Sequence, residues 1–317
     1  MNYITIGDVH LGKKFKSKDI PLDKRGIREQ LLVARFNQLV DKAIENKNAL
    51  GVIQLGDLFD SFCVSYEDLI QAYQILKKFE DNKVCCYILA GNHDISKDNQ
   101  RISAFSILKK LFQRTLGTTR YVFFIEGSPY AMISPSNERI LLVPYIHGKT
   151  AAEILSSEVN PAYNTTVFGH FEESDFDWLK SHFNQIYTGH IHLPRKEGNL
   201  TVVGSIMPFT FAEDATNTFM KTCTLQEYEA DYVKGLTSGR CYRIKLKEGE
   251  SLPADTDCLQ LSEYKQKLDE LQEADLNVDF EVFDIEKLLH EALDDLGLFL
   301  EVHKIYSELK MAEIENV

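Results

Sequence analysis

Eight residues of this chain have the type and spacing for phosphoryl chemistry: Asp8, His10, Asp57, Asn92, His93, His170, His190 and His192. They fall in five short runs, "ITIGDVH" from Ile4, "VIQLGDLFD" from Val52, "YILAGNHD" from Tyr87, "VFGH" from Val167 and "YTGHIH" from Tyr187. In each, an apolar stretch of strand character reaches a glycine and then delivers Asp, Asn or His. Carboxylates, a carboxamide and imidazoles together make a donor set for two adjacent divalent cations. Two cations ~3.5–4 Å apart clamp the entering and leaving oxygens of a phosphoryl transfer. A lone Asp-x-His or Gly-Asp carries little information. An Asn placed at a strand end carries more, and Gly189-His190-Ile191-His192 sends two imidazoles the same way in an extended segment. Five such deliveries in one chain are not a structural accident. Asp94 follows directly and has two readings: it orients His93, or it caps the following helix.

Open α/β sheets gather ligands outside the carboxyl ends of their strands, which is what these deliveries require. Apolar patterning predicts strands at 3–6, 50–55, 84–89, 121–125, 130–134, 140–143, 165–168 and 185–188. It predicts helices at 27–44 (stopping near 46–48), 66–79, 101–112 and 151–159. "LTVVGSIMPFTFAE" reads as a strand and an apolar loop, and "FMKTCTLQEY" and "RCYRIKL" continue the β-rich pattern. The alternation argues for an α/β fold, and the return to strands for a second sheet or a small cap. The divisions expected are 1–215 carrying the histidines, 216–275 as an accessory or capping domain, and 276–317 as a C-terminal helical segment. "SLPADTD" beyond Gly249 is linker-like, and 261–271 reads as a helix. The last segment carries two apolar stripes, Leu288, Leu289, Ala292, Leu293 and Leu296, then Val302, Ile305, Tyr306 and Leu309. Such stripes either pack on the protein's own core or dock on another protein.

With 44% hydrophobic and 26% charged residues, the composition is that of an ordinary water-soluble chain. No run approaches the ~18 apolar residues of a membrane span, so no membrane association is expected. The chain enters its first strand from Met1 without a signal-type segment, which predicts a cytoplasmic protein. The six cysteines lack metal-type spacing and read as reduced packing groups. The net charge of −13 divides unevenly. Residues 250–317 hold 19 Asp/Glu against 5 Lys/Arg, whereas residues 1–249 hold 29 against 30. The acidity belongs to the tail, and a neutral catalytic region whose carboxylates hold metal can still approach a polyanion. Lys13, Lys14, Lys16, Lys18, Lys24, Arg25 and Arg28 crowd the loop beside His10, as a phosphate-backbone contact or as an ordinary solvated loop.

The motif order resembles the calcineurin-like metallophosphoesterases, whose signature is Asp-x-His, Gly-Asp-x-x-Asp, Gly-Asn-His-Asp/Glu, Gly-His and Gly-His-x-His. "GDVHLGKKF", "RGIREQ", "GDLFD", "GHFE", "GHIH" and "VVGSIMPFTFAE" further resemble the SbcD-type DNA-repair nuclease subunits, and most closely the recombination exonuclease subunits of tailed phages. The resemblance implies a metallophosphoesterase-type β-sandwich flanked by helices, with a small capping domain and a C-terminal helical segment. It implies one metal held by Asp8, His10, Asp57 and His192, a second by Asp57, Asn92, His170 and His190, and Asp57 as the bridge. His93, oriented by Asp94, would assist attack of a metal-activated water on the phosphate. Manganese is the expected ion, with magnesium as the alternative. The expected partners are DNA, an SMC-like ATPase and a second copy of the chain, in the cytoplasm of the cell or of a phage host. Asp60 departs from cellular members, which usually place a second catalytic histidine there. The competing reading with the same ligands is a small-molecule phosphodiesterase or phosphatase.

Overall fold

Side chains that alternate between the two faces of buried strands, and a 3–4 residue repeat along helices, divide the apolar residues into separate layers. The computed structural model describes residues 3–264 except 16–17, 97–101, 116–120, 136, 161–163, 215, 234–238 and 255. A first sheet is wholly parallel and follows chain order: β1 (Tyr3–Ile6), β2 (Gly51–Gln54), β3 (Cys86–Leu89) and β4 (Val122–Ile125). Its crossovers are α1 (Ile27–Glu45), α2 (Tyr66–Asp81) and α3 (Ala104–Thr115). On α1 the buried positions Arg28, Leu32, Phe36, Val40, Ala43 and Ile44 form one stripe. Ser65 caps α2 by accepting from the Asp68 amide at 3.1 Å, offsetting one of the unpaired donors of the first turn.

The second sheet contains β5 (Tyr130–Ile133), β6 (Arg139–Val143), β7 (Thr165–Gly169), β8 (Gln185–Thr188), β9 (Arg195–Glu197) and β10 (Leu200–Val202). Their spatial order is β5-β6-β7-β8-β10-β9, parallel in the middle and antiparallel at both edges. The short helices α4 (Ala151–Leu155) and α5 (Phe176–His182) cover its outer face. Along β6, Ile140 and Leu142 face the first sheet, whereas Leu141 and Val143 face these helices. Ile53, Leu55, Leu89 and Ile125 meet Ile140, Leu142 and Phe168 between the sheets. Each such side chain contributes about 1.5–3 kcal/mol when fully buried. The architecture is therefore a two-sheet sandwich with helices on both outer faces, the expected α/β class.

A third sheet, again parallel, consists of β11 (Met220–Thr224), β12 (Cys241–Lys245) and β13 (Gln260–Glu263), with α6 (Leu225–Val233) between the first two. Three expectations change here. "LQEY" is not strand but a helix start, capped by the last residue of β11: the Thr224 hydroxyl accepts from the Glu227 amide at 3.4 Å while the Glu227 carboxylate accepts from the Thr224 amide at 2.7 Å. Residues 260–263 are strand and not the start of a helix, because β12 offers an unpaired edge from Cys241 to Ile244. "SLPADTD" is no free linker, because the segment it opens is tied to α1 and the loop before it. Lys24 Nζ donates to the carbonyls of Thr256 (3.3 Å) and Cys258 (2.9 Å), and buried Arg28 donates to Gln260 Oε1 at 3.2 Å. Through Tyr264 the chain is one compact unit. The expected C-terminal helices lie outside the described residues. Among those described, no helix is long and apolar enough to cross a membrane.

Candidate metal centre

Both sheets end at one cleft. The ends of β1, β2 and β3 bring Asp8, His10, Asp57, Asn92, His93 and Asp94, and the ends of β7 and β8 bring His170, His190 and His192. All nine sequence-predicted residues are gathered there. The loops interlock through the main chain: the Asp57 carbonyl accepts from the amides of both Val9 and His10 at 3.0 Å. His10, Asp57 and His190 have φ of 54°, 50° and 76°, left-handed values that non-glycine residues seldom adopt. Strain of this kind, about 1–3 kcal/mol each, persists only where surrounding structure over-determines it. Gly91 shows how tight the approach is, since a Cβ there would lie 2.1 Å from Asp57 Oδ1.

Two clusters, Asp8–His10–His192 and Asp57–His170–His190, each bring their donor atoms within 4.8 Å of one another, and a third, His10–Asp60–His93, shares His10 toward the rim. One oxygen of each carboxylate is fixed by an amide: His190 N–H on Asp8 Oδ1 and His93 N–H on Asp57 Oδ1, both at 2.9 Å. The other oxygens face the cleft. Asp8 Oδ2 is buried without a hydrogen-bond donor. Asp57 Oδ2 lies 3.6 Å from His10 Nε2 and 3.5 Å from His170 Nε2, between the clusters. Nitrogen meets nitrogen between His10 Nε2 and His192 Nε2 at 3.0 Å. Asn92 Oδ1 lies 2.8 Å from His170 Nε2 and 2.9 Å from His190 Nδ1. His170 Nδ1 is committed to donating to the Leu55 carbonyl at 2.8 Å, so its Nε2 in the neutral ring turns a lone pair inward. Lone pairs and carboxylate oxygens directed at one another in a buried cleft are the donor chemistry of bound cations, and these residues fit two of them.

The electrostatics agree. Against its burial penalty, His170, His10 and the His93 amide hold the Asp57 carboxyl far below the ordinary carboxylate range. Burial pushes Asp8 up, toward the neutral form that a cation would displace. Burial disfavours a charged His170, yet Asp57 and Asp8 raise it to about 9. The same negative field that retains a proton there attracts a metal ion.

His93 stands at the rim of the cleft, its ring 4.9 Å from that of His10. Its Nδ1 donates to the main-chain carbonyl of Asp60 at 2.7 Å. Asp94 is not the group that orients it. The Asp94 carboxylate is fully buried and accepts from the amides of Gly91 (2.9 Å), Leu58 (3.1 Å) and Phe59 (2.9 Å), so it locks the two ligand loops together. The Asp60 side chain approaches His10 Nδ1 at 3.2 Å and accepts from Lys13 Nζ at 2.9 Å.

Two features were not anticipated. Glu213 lies 3.3 Å from His192 Nδ1 and is itself held by the Phe209 amide at 2.7 Å. The Phe209 ring stands edge-on to His10 and His192, at centroid distances of 5.2 and 5.3 Å. "PFTFAE" gave no local cue to either, because both act across the fold. The basic loop is also less available than its composition suggests. Arg28 is buried on the Phe209 carbonyl (3.0 Å) and stacked on Phe15, Lys24 holds the 256–258 segment, and Lys13 is paired.

The calcineurin-like phosphoesterase family model matches residues 1–233, and the chain belongs to that family. Family, fold and donor set together define a metal-dependent hydrolase. Among individual proteins, the chain is similar to the DNA double-strand break repair protein Mre11 of Methanococcus maripaludis, 28% identical over 216 residues covering 63% of this chain and 55% of that protein. It is similar to the Mre11 of Archaeoglobus fulgidus, 24% identical over 229 residues, covering 62% and 46%. A shorter match, 32% identical over 110 residues, joins it to the Mre11 of Sulfolobus acidocaldarius, covering 35% and 27%. The chain thus spans about half the length, or less, of the curated relatives it matches.

Proposed function

We propose that this chain is a two-metal DNA phosphodiesterase, the nuclease subunit of an assembly that processes DNA ends. The observation that carries the reading is the single oxygen of Asp57, nearly equidistant from one imidazole of each donor cluster. A carboxylate so placed would offset the mutual repulsion of two cations held on either side of it. Asp8, His10 and His192 would hold one of them, and Asn92, His170 and His190 the other. When bound, the two ions, manganese in the first instance and magnesium as the alternative, supply an activated water and neutralise charge on the phosphate. The chain's own residues do the rest. With Nδ1–H committed to the Asp60 carbonyl, His93 directs Nε2 toward the scissile phosphate. In its imidazolium form it stabilises charge there and gives its proton to the leaving oxygen. Asp94 keeps the Asp57 and Asn92 loops in register.

DNA as substrate is supported by the Mre11 relatives and by the near-neutral charge of residues 1–249. The kinship to phage exonucleases is supported by Asp60 standing where cellular members carry histidine. An SMC-like ATPase partner is supported by the stripes around Leu289 and Ile305, on a segment too acidic to lie along DNA. A homodimer is supported by apolar side chains left exposed on α1 and α2, Leu31, Tyr66 and Ile70. Residues 216–275 serve as the accessory module in this reading.

The test is cleavage by the purified full chain in Mn²⁺, with labelled single- and double-stranded DNA beside bis-p-nitrophenyl phosphate. DNA cleavage abolished by chelation is expected. Hydrolysis of the small ester with DNA left intact would overturn the nuclease reading in favour of a small-molecule phosphodiesterase.

A further inference from the structure

A histidine that ligates through one ring nitrogen carries its proton on the other, and the acceptor of that proton sets its strength as a ligand. His10 and His192 face one another through Nε2, and each has a carboxylate at Nδ1: Asp60 Oδ1 at 3.2 Å and Glu213 Oε1 at 3.3 Å. The approach of Asp60 is off the line of an ideal hydrogen bond, so the contact is a close electrostatic one between the carboxylate and the Nδ1 edge of the ring. Both carboxylates are themselves held, Asp60 by Lys13 Nζ at 2.9 Å and Glu213 by the Phe209 amide at 2.7 Å. The Phe209 ring walls the pair from the side.

The other cluster is built differently. His170 is backed by a neutral main-chain carbonyl, that of Leu55. His190 faces the cleft through Nδ1, and the remaining donor is the neutral carboxamide of Asn92. The first cluster owns Asp8 and has a carboxylate at the far nitrogen of each imidazole, Asp60 being paired with Lys13, whereas in the second the shared Asp57 is the only carboxylate among the donors and the nearest other, Asp8, lies 3.7 Å from His170 Nδ1. A divalent cation distinguishes these environments by both ligand basicity and Coulomb attraction.

We infer that Asp60 and Glu213 are positioning residues that make the Asp8–His10–His192 half of the centre the tighter of two unequal cation sites. The inference rests on the two-metal reading above and deepens it. The tighter half stays loaded, and the Asp57–Asn92–His170–His190 half fills only at higher metal concentration. Asp60 thus acts on His10 through its side chain and on His93 through its main chain, without touching substrate.

The experiment is titration of metal-stripped full-length protein with Mn²⁺ alone, followed by calorimetry and by bound-metal content. Wild type is expected to bind two equivalents in separate steps. Glu213→Gln and Asp60→Asn should each weaken the first step by about 10–100-fold and leave the second unchanged. Glu213→Asp should recover part of the loss, and metal-free melting temperatures should not move. Two equal steps in wild type would overturn the inference, as would equal shifts of both steps in the variants or no shift at all. If Asp60→Asn fails to fold, the Glu213 pair decides alone. Assaying DNA cleavage in parallel keeps the readings apart. Equal steps with cleavage sink only this inference, whereas unequal steps without cleavage sustain it and sink the nuclease reading.

Discussion

Gly91→Ala tests the geometry of the centre without replacing a candidate ligand. The added Cβ would lie 2.1 Å from Asp57 Oδ1 and 2.2 Å from Asp57 N, where ordinary contact begins near 3.4 Å. A gap of roughly 1.3 Å must therefore open. Asp57 is the fixed partner, because its carbonyl accepts two amides and its Oδ1 accepts the His93 amide. The 91–93 segment has to move, carrying Asn92 and His93 with it. Overpacking of this kind costs about 1–3 kcal/mol. Gly91 has an ordinary backbone conformation, so the stiffer unfolded chain returns ~0.4–1 kcal/mol, and the net effect is a modest loss of stability. Activity suffers far more, since a displacement of about 1 Å in a catalytic constellation costs ~10²-fold. The assay is Mn²⁺-dependent DNA cleavage at saturating metal, with Gly198→Ala for comparison. Gly198 has φ of +61° and open space around its Cβ position, so its substitution strains the backbone but leaves the cleft alone. Cleavage by Gly91→Ala within roughly a factor of two of wild type, at unchanged metal affinity, would refute the reasoning.

His93→Ala should retain both metal equivalents by elemental analysis and lose ~10²–10⁴ in cleavage rate, because His93 serves the phosphate and not the cations. Asp57→Asn should impair Mn²⁺ binding more than Asp8→Asn in parallel titrations, since the bridge serves both ions; unchanged two-equivalent binding by Asp57→Asn would dismiss the bridge. Arg28→Ala should cost about 2–4 kcal/mol in chemical denaturation, because it strands the Phe209 carbonyl and Gln260 in a buried site. Truncation after Tyr264 should leave a folded, metal-binding protein that does not co-purify with the SMC-like ATPase proposed as its partner. Leu289→Asp with Ile305→Asp should reproduce that loss in the full chain, and persistence of the complex would return the segment to some other role.

The candidate ligands gathered in the cleft were legible because each run leaves an apolar strand through a glycine and delivers its Asp, Asn or His within three residues, so one local pattern encodes both the residue and its delivery. Strand β6 was legible as an unbroken apolar run, being buried on both faces, and helix α1 by a burial that follows the period of the element. What escaped reading depends on partners far away in the chain. Glu213 is twenty-one residues beyond His192, and nothing near it announces an imidazole. Asp94 reads as a partner of its neighbour His93, yet its acceptors are used by amides at 58, 59 and 91. β13 takes strand form from the free edge of β12, and Lys24 and Arg28 read as surface charge although they hold the third sheet to α1. α5, only seven residues long, leaves too little periodicity to detect.

Each of the two proposed cation sites draws on both halves of the sandwich. Asp8 and His10 come from the first sheet and His192 from the second, and Asp57 faces His170 and His190 in the same way. A cation in either site would therefore be a cross-link between two layers that otherwise adhere through an apolar interface and a few hydrogen bonds, such as that from His170 Nδ1 to the Leu55 carbonyl. Neither sheet alone can present a complete ligand set, so the metal cannot template the early chain. It rewards only the closed sandwich, by ~2.7 kcal/mol at a hundredfold excess over its dissociation constant. In time, this makes metal capture the last event of folding and metal release an early event of unfolding. Stopped-flow refolding should accordingly show Mn²⁺ uptake lagging behind the recovery of β-structure, with the ion slowing the parting of the sheets once they have met.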